Sequence, residues 1–342
     1  MKTVSVEQAV GCVLAHDITR IIKDVEKGPV FKKGHIITED DVPVLLSVGK
    51  KNIYIYEKSE GMLHEDEAAL ILGDITKGSN MEISGPSEGK MTLKAATDGF
   101  FKVDRERLYK INSLGDISIA SRHGDTIVKK GDVLAGMRVI PLVIDEEKMN
   151  VARSIGKDIP LFSLLPFKKK KYAIITTGSE VYDGRIKDTF TPVVESKFNE
   201  YNAELIYKTL CDDKPEMIEA KIMGAHSKGA EVICITGGMS VDPDDRTPAA
   251  IRKMSAEVVS YGSPVLPGAM FMLSYMEDGT VLMGLPGCVM YAKRTVFDLI
   301  LPRVMVDEKV KKEDIYALGE GGMCLNCNIC TFPNCGFGKG HV

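Results

Sequence analysis

The chain has 342 residues, 27% of them charged, and a formal net charge of −4, which fits a globular protein of two or three domains. The mild acidity gives no reason to expect a nucleic acid or an anionic membrane as partner. The start MKTVSVEQAV lacks the basic-then-apolar form of a signal peptide, and no apolar run reaches the roughly 18 residues of a membrane span, so a cytoplasmic location is expected.

Residues 1–58 read as a small mixed α/β unit. Val6–Val10 forms a helical turn and Phe31–Ile37 a strand. Thr38 caps a helix over 39–48, with Asp41 three positions on in a capping-box arrangement. Asn52–Tyr56 alternates like a half-buried strand. Residues 59–165 read as a β-rich domain and linker. It opens with a helix over 64–75 whose acidic first turn suits the helix dipole. Glycine turns then separate short β-type runs such as Asp116–Ala120 and Arg138–Leu142. Residues 148–171 read as a connector ending in the run Lys168–Lys171, a solvated lead into the next strand.

From 166 to 304 strand and helix patterns alternate. Strands are expected at Tyr172–Thr176, Glu204–Thr209, Val232–Ile235 and Val281–Gly284. Helices are expected near 191–203, over Pro215–Gly229, and over 248–260 and 288–301. Such alternation implies βαβ units and a parallel sheet with helices on both faces. Three strand ends carry unusual residues: Thr176-Thr177-Gly178-Ser179-Glu180, Thr236-Gly237-Gly238 running into Asp242, Asp244 and Asp245, and Gly284-Leu285-Pro286-Gly287-Cys288. In a parallel sheet all three loops share the carboxyl edge, where ligands bind. Backbone N–H groups at glycine turns suit a phosphate. Glu180, Asp242 and Asp245 suit Mg²⁺, a hard cation preferring oxygen ligands. The bland alternative is a set of ordinary βα loops whose glycines only permit turns.

These loops resemble the molybdopterin-binding domain of the MogA and MoeA/gephyrin types of molybdenum cofactor synthesis protein. TTGSE resembles the TGDE-type turn, GGMSVDPDDRTPAA the GGxSVG and GGTG…DxTPEA loops, and GLPGC the GLPGNP loop, in family order. The opening VGCVLAHDIT also resembles the start of MoeA-type chains. The resemblance implies a three-layer α/β/α domain, with smaller mixed and β-rich domains before it. It also implies binding of adenylylated molybdopterin with Mg²⁺, molybdate or tungstate as the metal substrate, and assembly as a dimer or trimer. Carried over, Asp245, Asp242 and Glu180 are the catalytic candidates. Thr177, Gly178, Ser179, Asp212, Gly237, Gly238, Ser240, Thr247, Pro286 and Gly287 are the cofactor-binding candidates. The sequence departs from the family where Cys288-Val289 replaces Asn-Pro, and no SxxDGxA run occurs over 20–60. Cys288 would open a helix, a place where a thiol is readily activated. A buried structural cysteine is the favoured reading, contact with metal or substrate the alternative.

Residues 305–342 read as a mobile cysteine-rich arm that MoeA-type chains lack. Cys324, Cys327, Cys330 and Cys335 fall within twelve residues, a spacing one residue off the bacterial-ferredoxin pattern. An iron–sulfur cluster is favoured over tetrahedral zinc, which remains the rival. His341 reads as tail. The arm offers a docking point for a molybdoenzyme or another cofactor-pathway protein. The other four cysteines are expected reduced, and buried where their context is apolar.

The leading functional expectation is insertion of molybdate or tungstate into adenylylated molybdopterin with release of AMP. The alternatives are a non-enzymatic carrier of the finished cofactor and a CinA-type hydrolase of a nucleotide pyrophosphate.

Overall fold

The computed structural model describes residues 2–22, 26–55, 60–240 and 246–340. Close packing divides the chain into two units. The first holds residues 1–97, 102–122 and 129–164, and the second holds 98–101, 123–128 and 165–342.

In the first unit, strands Lys2–Ser5 and Asn52–Ile55 pair antiparallel over a core of Val6, Leu14, Ile37 and Leu45. The strand expected over Phe31–Ile37 instead ends at Phe31. The chain turns there, with the His35 N–H on the Lys32 carbonyl and Gly34 at φ 85°. Helix Asp41–Ser47 forms, and Asp41 accepts both the N–H and the hydroxyl of Thr38 at 2.8 Å. Helix Glu65–Thr76 starts at a capping box made by His64 and Glu67. A four-stranded antiparallel sheet follows, joining Met81–Ile83, Met91–Ala95, Val133–Val139 and Ile117–Ser121 in that order. Two helices were not expected. Arg105–Asn112 is capped by Asp104. Glu146–Ile155, capped by Asp145, replaces part of the expected connector.

The second unit is built on a six-stranded sheet. Its strands are β1 (Lys171–Thr177), β2 (Glu204–Cys211), β3 (Val232–Thr236), β4 (Glu257–Tyr261), β5 (Met272–Tyr275) and β6 (Val281–Leu285), in spatial order β2-β1-β3-β6-β5-β4. Four of them, β2, β1, β3 and β6, run parallel, while β5 and β4 close one edge antiparallel. Helices α1 (Ser179–Tyr182), α2 (Phe190–Asn199), α3 (Pro215–Ser227), α4 (Thr247–Met254), α5 (Val296–Val304) and α6 (Lys312–Tyr316) connect or follow them.

The layering follows from the alternation of side chains along a strand. On β1, Tyr172 and Ile174 face a core that includes Phe198 of α2 and Phe297 of α5. Ala173 and Ile175 face the opposite core, with Ile218 and Ile222 of α3 and Ile251 of α4. Each large apolar side chain fully buried this way contributes ~1.5–3 kcal/mol. The Tyr172 and Phe198 rings stack with centroids 3.9 Å apart. The domain is therefore the expected three-layer α/β/α sandwich.

Three expectations are corrected in this unit. Helix 248–260 stops at Met254, and β4 begins at Glu257, because Val258-Val259 belongs to an edge strand. Helix 288–301 is split into a short 3₁₀ turn at Gly287–Met290 and α5. Thr295 and Asp298 make a capping box that fixes the later start. The C-terminal arm is seated, not loose. Cys324 donates its N–H to the Leu266 carbonyl at 2.8 Å, and Phe337 is buried in the domain core. A Cβ on Gly340 would lie 2.1 Å from the Glu320 carbonyl oxygen, so the backbone is tightly packed there.

Candidate functional site

Parallel pairing fixes where the three glycine loops emerge. Thr176 lies beside Thr236, and Thr236 beside Leu285, across three neighbouring strands. All three loops thus leave the same carboxyl edge of the sheet, the position where α/β folds bind ligands.

The first loop turns at Gly178, whose φ is 137°. Its N–H reaches the Cys211 carbonyl at the end of β2 (3.1 Å). Next to it, the Ser179 N–H donates to Asp213 Oδ2 at 2.9 Å. The Asp213 carboxyl is held above the usual carboxylate range. Burial is the main cause, and the neighbouring Glu180 and Asp212 charges add to it, against hydrogen bonds from Ser179 and Thr177. Glu180 itself is exposed.

The second loop packs directly on the first. Gly237 has φ 91°, and a Cβ there would sit 2.2 Å from the Thr177 carbonyl oxygen. A Cβ on Gly238 (φ 55°) would sit 2.8 Å from Thr247 Oγ1 and 3.6 Å from Asp213 Oδ1. Only glycine fits such close approach with a left-handed backbone. The Thr177 and Thr247 hydroxyls are 3.1 Å apart and buried. Beyond them the Tyr261 hydroxyl donates to the Met239 carbonyl at 3.2 Å, holding the approach to Ser240.

On the other face of the strand ends, Thr176 donates to Asp188 Oδ2 at 3.3 Å. Asp188 Oδ1 also accepts the N–H groups of Phe190 and Thr191 at the start of α2. Thr236, next to Thr176 in register, is fully buried, and its hydroxyl has no partner among the described residues.

The structure therefore brings Thr177, Gly178, Ser179, Gly237, Gly238 and Thr247 together, with Glu180 and Ser240 at the rim. Pro286 and Gly287 lie on the same edge, after β6. Asp212 turns away: it pairs with Lys214 at 2.9 Å, and that contact holds its carboxyl below the usual range. The residue that enters the loop junction is Asp213, which the sequence pattern did not single out. Asp242 and Asp245 lie outside the described residues. Cys288 sits in the 3₁₀ turn, half-buried, and burial pushes its thiol up, which fits the favoured structural reading better than an activated thiol.

A cavity of about 650 Å³ lies elsewhere. It is lined by Lys170, Glu231, Tyr275, Asp278 and Asp307, among others, at the amino-terminal edge of the parallel strands. Size alone does not make it the site, because the glycine turns and convergent polar groups are at the opposite edge.

The four tail cysteines line one cavity of about 250 Å³. Among the described residues, no three His, Cys, Asp or Glu side chains converge closely enough to hold one metal ion. All eight cysteines are free thiols. Cys211 and Cys234 are buried, whereas Cys12 is only partly so.

Parts of the chain are similar to known proteins. Residues 173–305 match the family model described as a probable molybdopterin binding domain, and residues 3–57 match a domain of unknown function. Over 80 residues the chain is 35% identical to a CinA-like protein of Mycobacterium sp. (strain JLS), covering 23% of this chain and 19% of that one. The CinA-like protein of Mycobacterium avium (strain 104) is 32% identical over the same length. The chain thus spans about a fifth of the length of the curated relatives it matches. Among solved structures, the molybdopterin biosynthesis enzyme MoaB from Thermus aligns with 22% identity and a TM-score of 0.36, over 40% of this chain and 91% of that one. A molybdenum cofactor biosynthesis protein from Pyrococcus furiosus aligns with 14% identity and a TM-score of 0.28, over 90% of this chain and 64% of that one. No helix among the described residues is long and apolar enough to cross a membrane.

Proposed function

We propose that the carboxyl edge of the α/β domain binds adenylylated molybdopterin, and that the chain inserts molybdate or tungstate with release of AMP. The observation that carries this reading is the meeting of two glycine loops over Asp213, within residues that match a probable molybdopterin binding domain. Backbone N–H groups at Gly237, Gly238 and the Ser179 turn suit phosphate oxygens. Glycine lets the phosphate approach the backbone without a Cβ in the way.

The donor set fits Mg²⁺. Asp213 is crowded by Glu180, and its carboxyl is held up by burial and that neighbour, a charge imbalance that a divalent cation would relieve. Among the described residues, Glu180 and Asp213 would hold the ion. Once bound, it would neutralise charge on the phosphate oxygens. The chain's own part is positional. Thr177 and Thr247 lock the two loops together, and Asp213 fixes the Ser179 N–H, so the phosphate would meet a pre-set cradle.

Incubating anaerobically purified protein with adenylylated molybdopterin, Mg²⁺ and molybdate tests this. AMP release that stops in Asp245→Ala is expected, and pterin binding without AMP release would instead make the chain a carrier. One observation favours a second reading: the curated relatives described above are CinA-like proteins. Hydrolysis of ADP-ribose, with no turnover of the adenylylated pterin, would place the chain with a nucleotide pyrophosphate hydrolase.

A further inference from the structure

We propose that the cysteine arm is the binding site of a [4Fe–4S] cluster, built into the α/β unit beside the loop that follows β6. Cys324 is anchored by its N–H on the Leu266 carbonyl at 2.8 Å. Asn326, in the left-handed region at φ 49°, turns the chain between Cys324 and Cys327, a conformation Asn tolerates better than most residues. Farther on, Phe332 and Phe337 pack against the domain core, which fixes the segment carrying Cys335. The result is one cavity of about 250 Å³ with all four cysteines in its wall.

Four thiols in the wall of one cavity select a thiophilic metal centre. A cubane presents four irons to four separate thiolates, so it suits sulfurs arranged around a space rather than a point. The C-x2-C-x2-C part of the spacing is that of three cysteines on one cluster in bacterial ferredoxins, where the fourth cysteine of the run goes to a second cluster; here the fold brings the fourth, Cys335, into the wall of the same cavity.

Charge and polarity agree with this assignment. A thiolate-ligated cluster is anionic, and Lys293 lines the cavity; Arg294 is also in its wall but is paired with Glu200 and Asp298. The Lys293 ammonium donates to the Cys327 and Asn328 carbonyls at 2.9 and 3.0 Å, which pins the cysteine loop and places positive charge beside it. Arg294 lies over the Phe332 ring at 4.8 Å. Phe332 and Phe337 give the inner wall of the cavity an apolar lining, while Met323 and Leu325 stand exposed at its rim; such a lining tunes a cluster's potential. Lys293 and Arg294 follow Pro286-Gly287 by only a few residues, so the cluster would flank the third loop of the carboxyl edge.

The proposal does not rest on the molybdopterin reading, and its readout is separate. The full chain is purified anaerobically and reconstituted with ferrous iron and sulfide, then assayed for iron, acid-labile sulfide and zinc. About four irons and four sulfides per chain are expected, with a broad visible absorption band that bleaches on dithionite. Cys327→Ser and Cys330→Ser replace exposed thiols, so each should lose that band while the thermal melt of the apo-protein is unchanged. Stoichiometric zinc without sulfide, no retained metal, or iron retained by both variants would overturn the assignment. Pterin binding measured on the same samples reports on the other site alone.

Discussion

Asp213 accepts the Ser179 backbone N–H at 2.9 Å, so the segment after β2 ties down the turn after β1. Its neighbour Asp212 instead pairs with Lys214 at the surface. The two adjacent aspartates therefore have different jobs. Asp213→Ala removes an acceptor from a partly buried N–H, which costs about 1–3 kcal/mol, and should weaken pterin binding at least tenfold. Asp212→Ala breaks the ion pair with Lys214, of the weak surface kind, and removes the acceptor of the Asp213 N–H, but leaves the Asp213–Ser179 contact in place, so affinity should stay within about twofold. Chemical denaturation and pterin titration of the two variants check this contrast.

The same environment sets a pH dependence. The folded-state pKa of Asp213 is raised, mainly by burial, so the folded protein holds this proton more tightly than the unfolded chain. Stability from this group is therefore greatest below the ordinary carboxylate pKa and falls as pH rises through the raised folded value. Asp213→Asn should flatten that fall in a stability–pH profile. A wild-type profile that keeps the same slope after substitution would remove this group as its source.

Gly237 provides a test of the loop contact. Its φ of 91° and the 2.2 Å approach of a Cβ to the Thr177 carbonyl oxygen leave no room for alanine. Gly237→Ala should cost more than the ~1–2 kcal/mol of a left-handed backbone alone. Gly184 is the control. It too is left-handed, at φ 71°, but nothing lies within 4 Å of a Cβ there. Gly184→Ala should cost only the backbone part, so the difference between the two melting temperatures measures the packing of loop on loop.

Thr236 carries a fully buried hydroxyl without a partner among the described residues. A buried unsatisfied polar group is unfavourable by about 1–3 kcal/mol, so Thr236→Val should be neutral or stabilising in the ligand-free protein. If the hydroxyl is used by bound pterin, the same variant binds more weakly. The melt and the titration together separate these roles.

The sequence made the centre of the sheet legible and its margin less so. β1, β3 and β6 are buried on both faces and read as continuous apolar runs, as parallel strands do. β4 and β5 were missed because Glu257–Tyr261 and Met272–Tyr275 are short, lie in the antiparallel edge region, and follow a helix whose apolar pattern runs into Val258-Val259. The polar helix Arg105–Asn112 offers little apolar periodicity, and its start is set by one side chain, Asp104. At the site, the glycines and threonines were readable because close approach demands those residue types. The choice between Asp212 and Asp213 was not. It depends on a single-residue register in the turn after β2, which only the hydrogen bond to Ser179 reveals.

The central claim is that the ligand binds at the carboxyl edge of the sheet, not in the larger cleft at the opposite edge. The most direct measurement is titration of molybdopterin into the wild type, Gly238→Ala and Asp278→Asn, with thermal melts to establish that each variant is folded. Gly238 lies against Thr247 and Asp213, whereas Asp278 lines the far cleft. Wild-type binding that falls at least tenfold in Gly238→Ala and holds in Asp278→Asn is the predicted result. Binding that survives Gly238→Ala and falls in Asp278→Asn would contradict the account and move the site to the other edge.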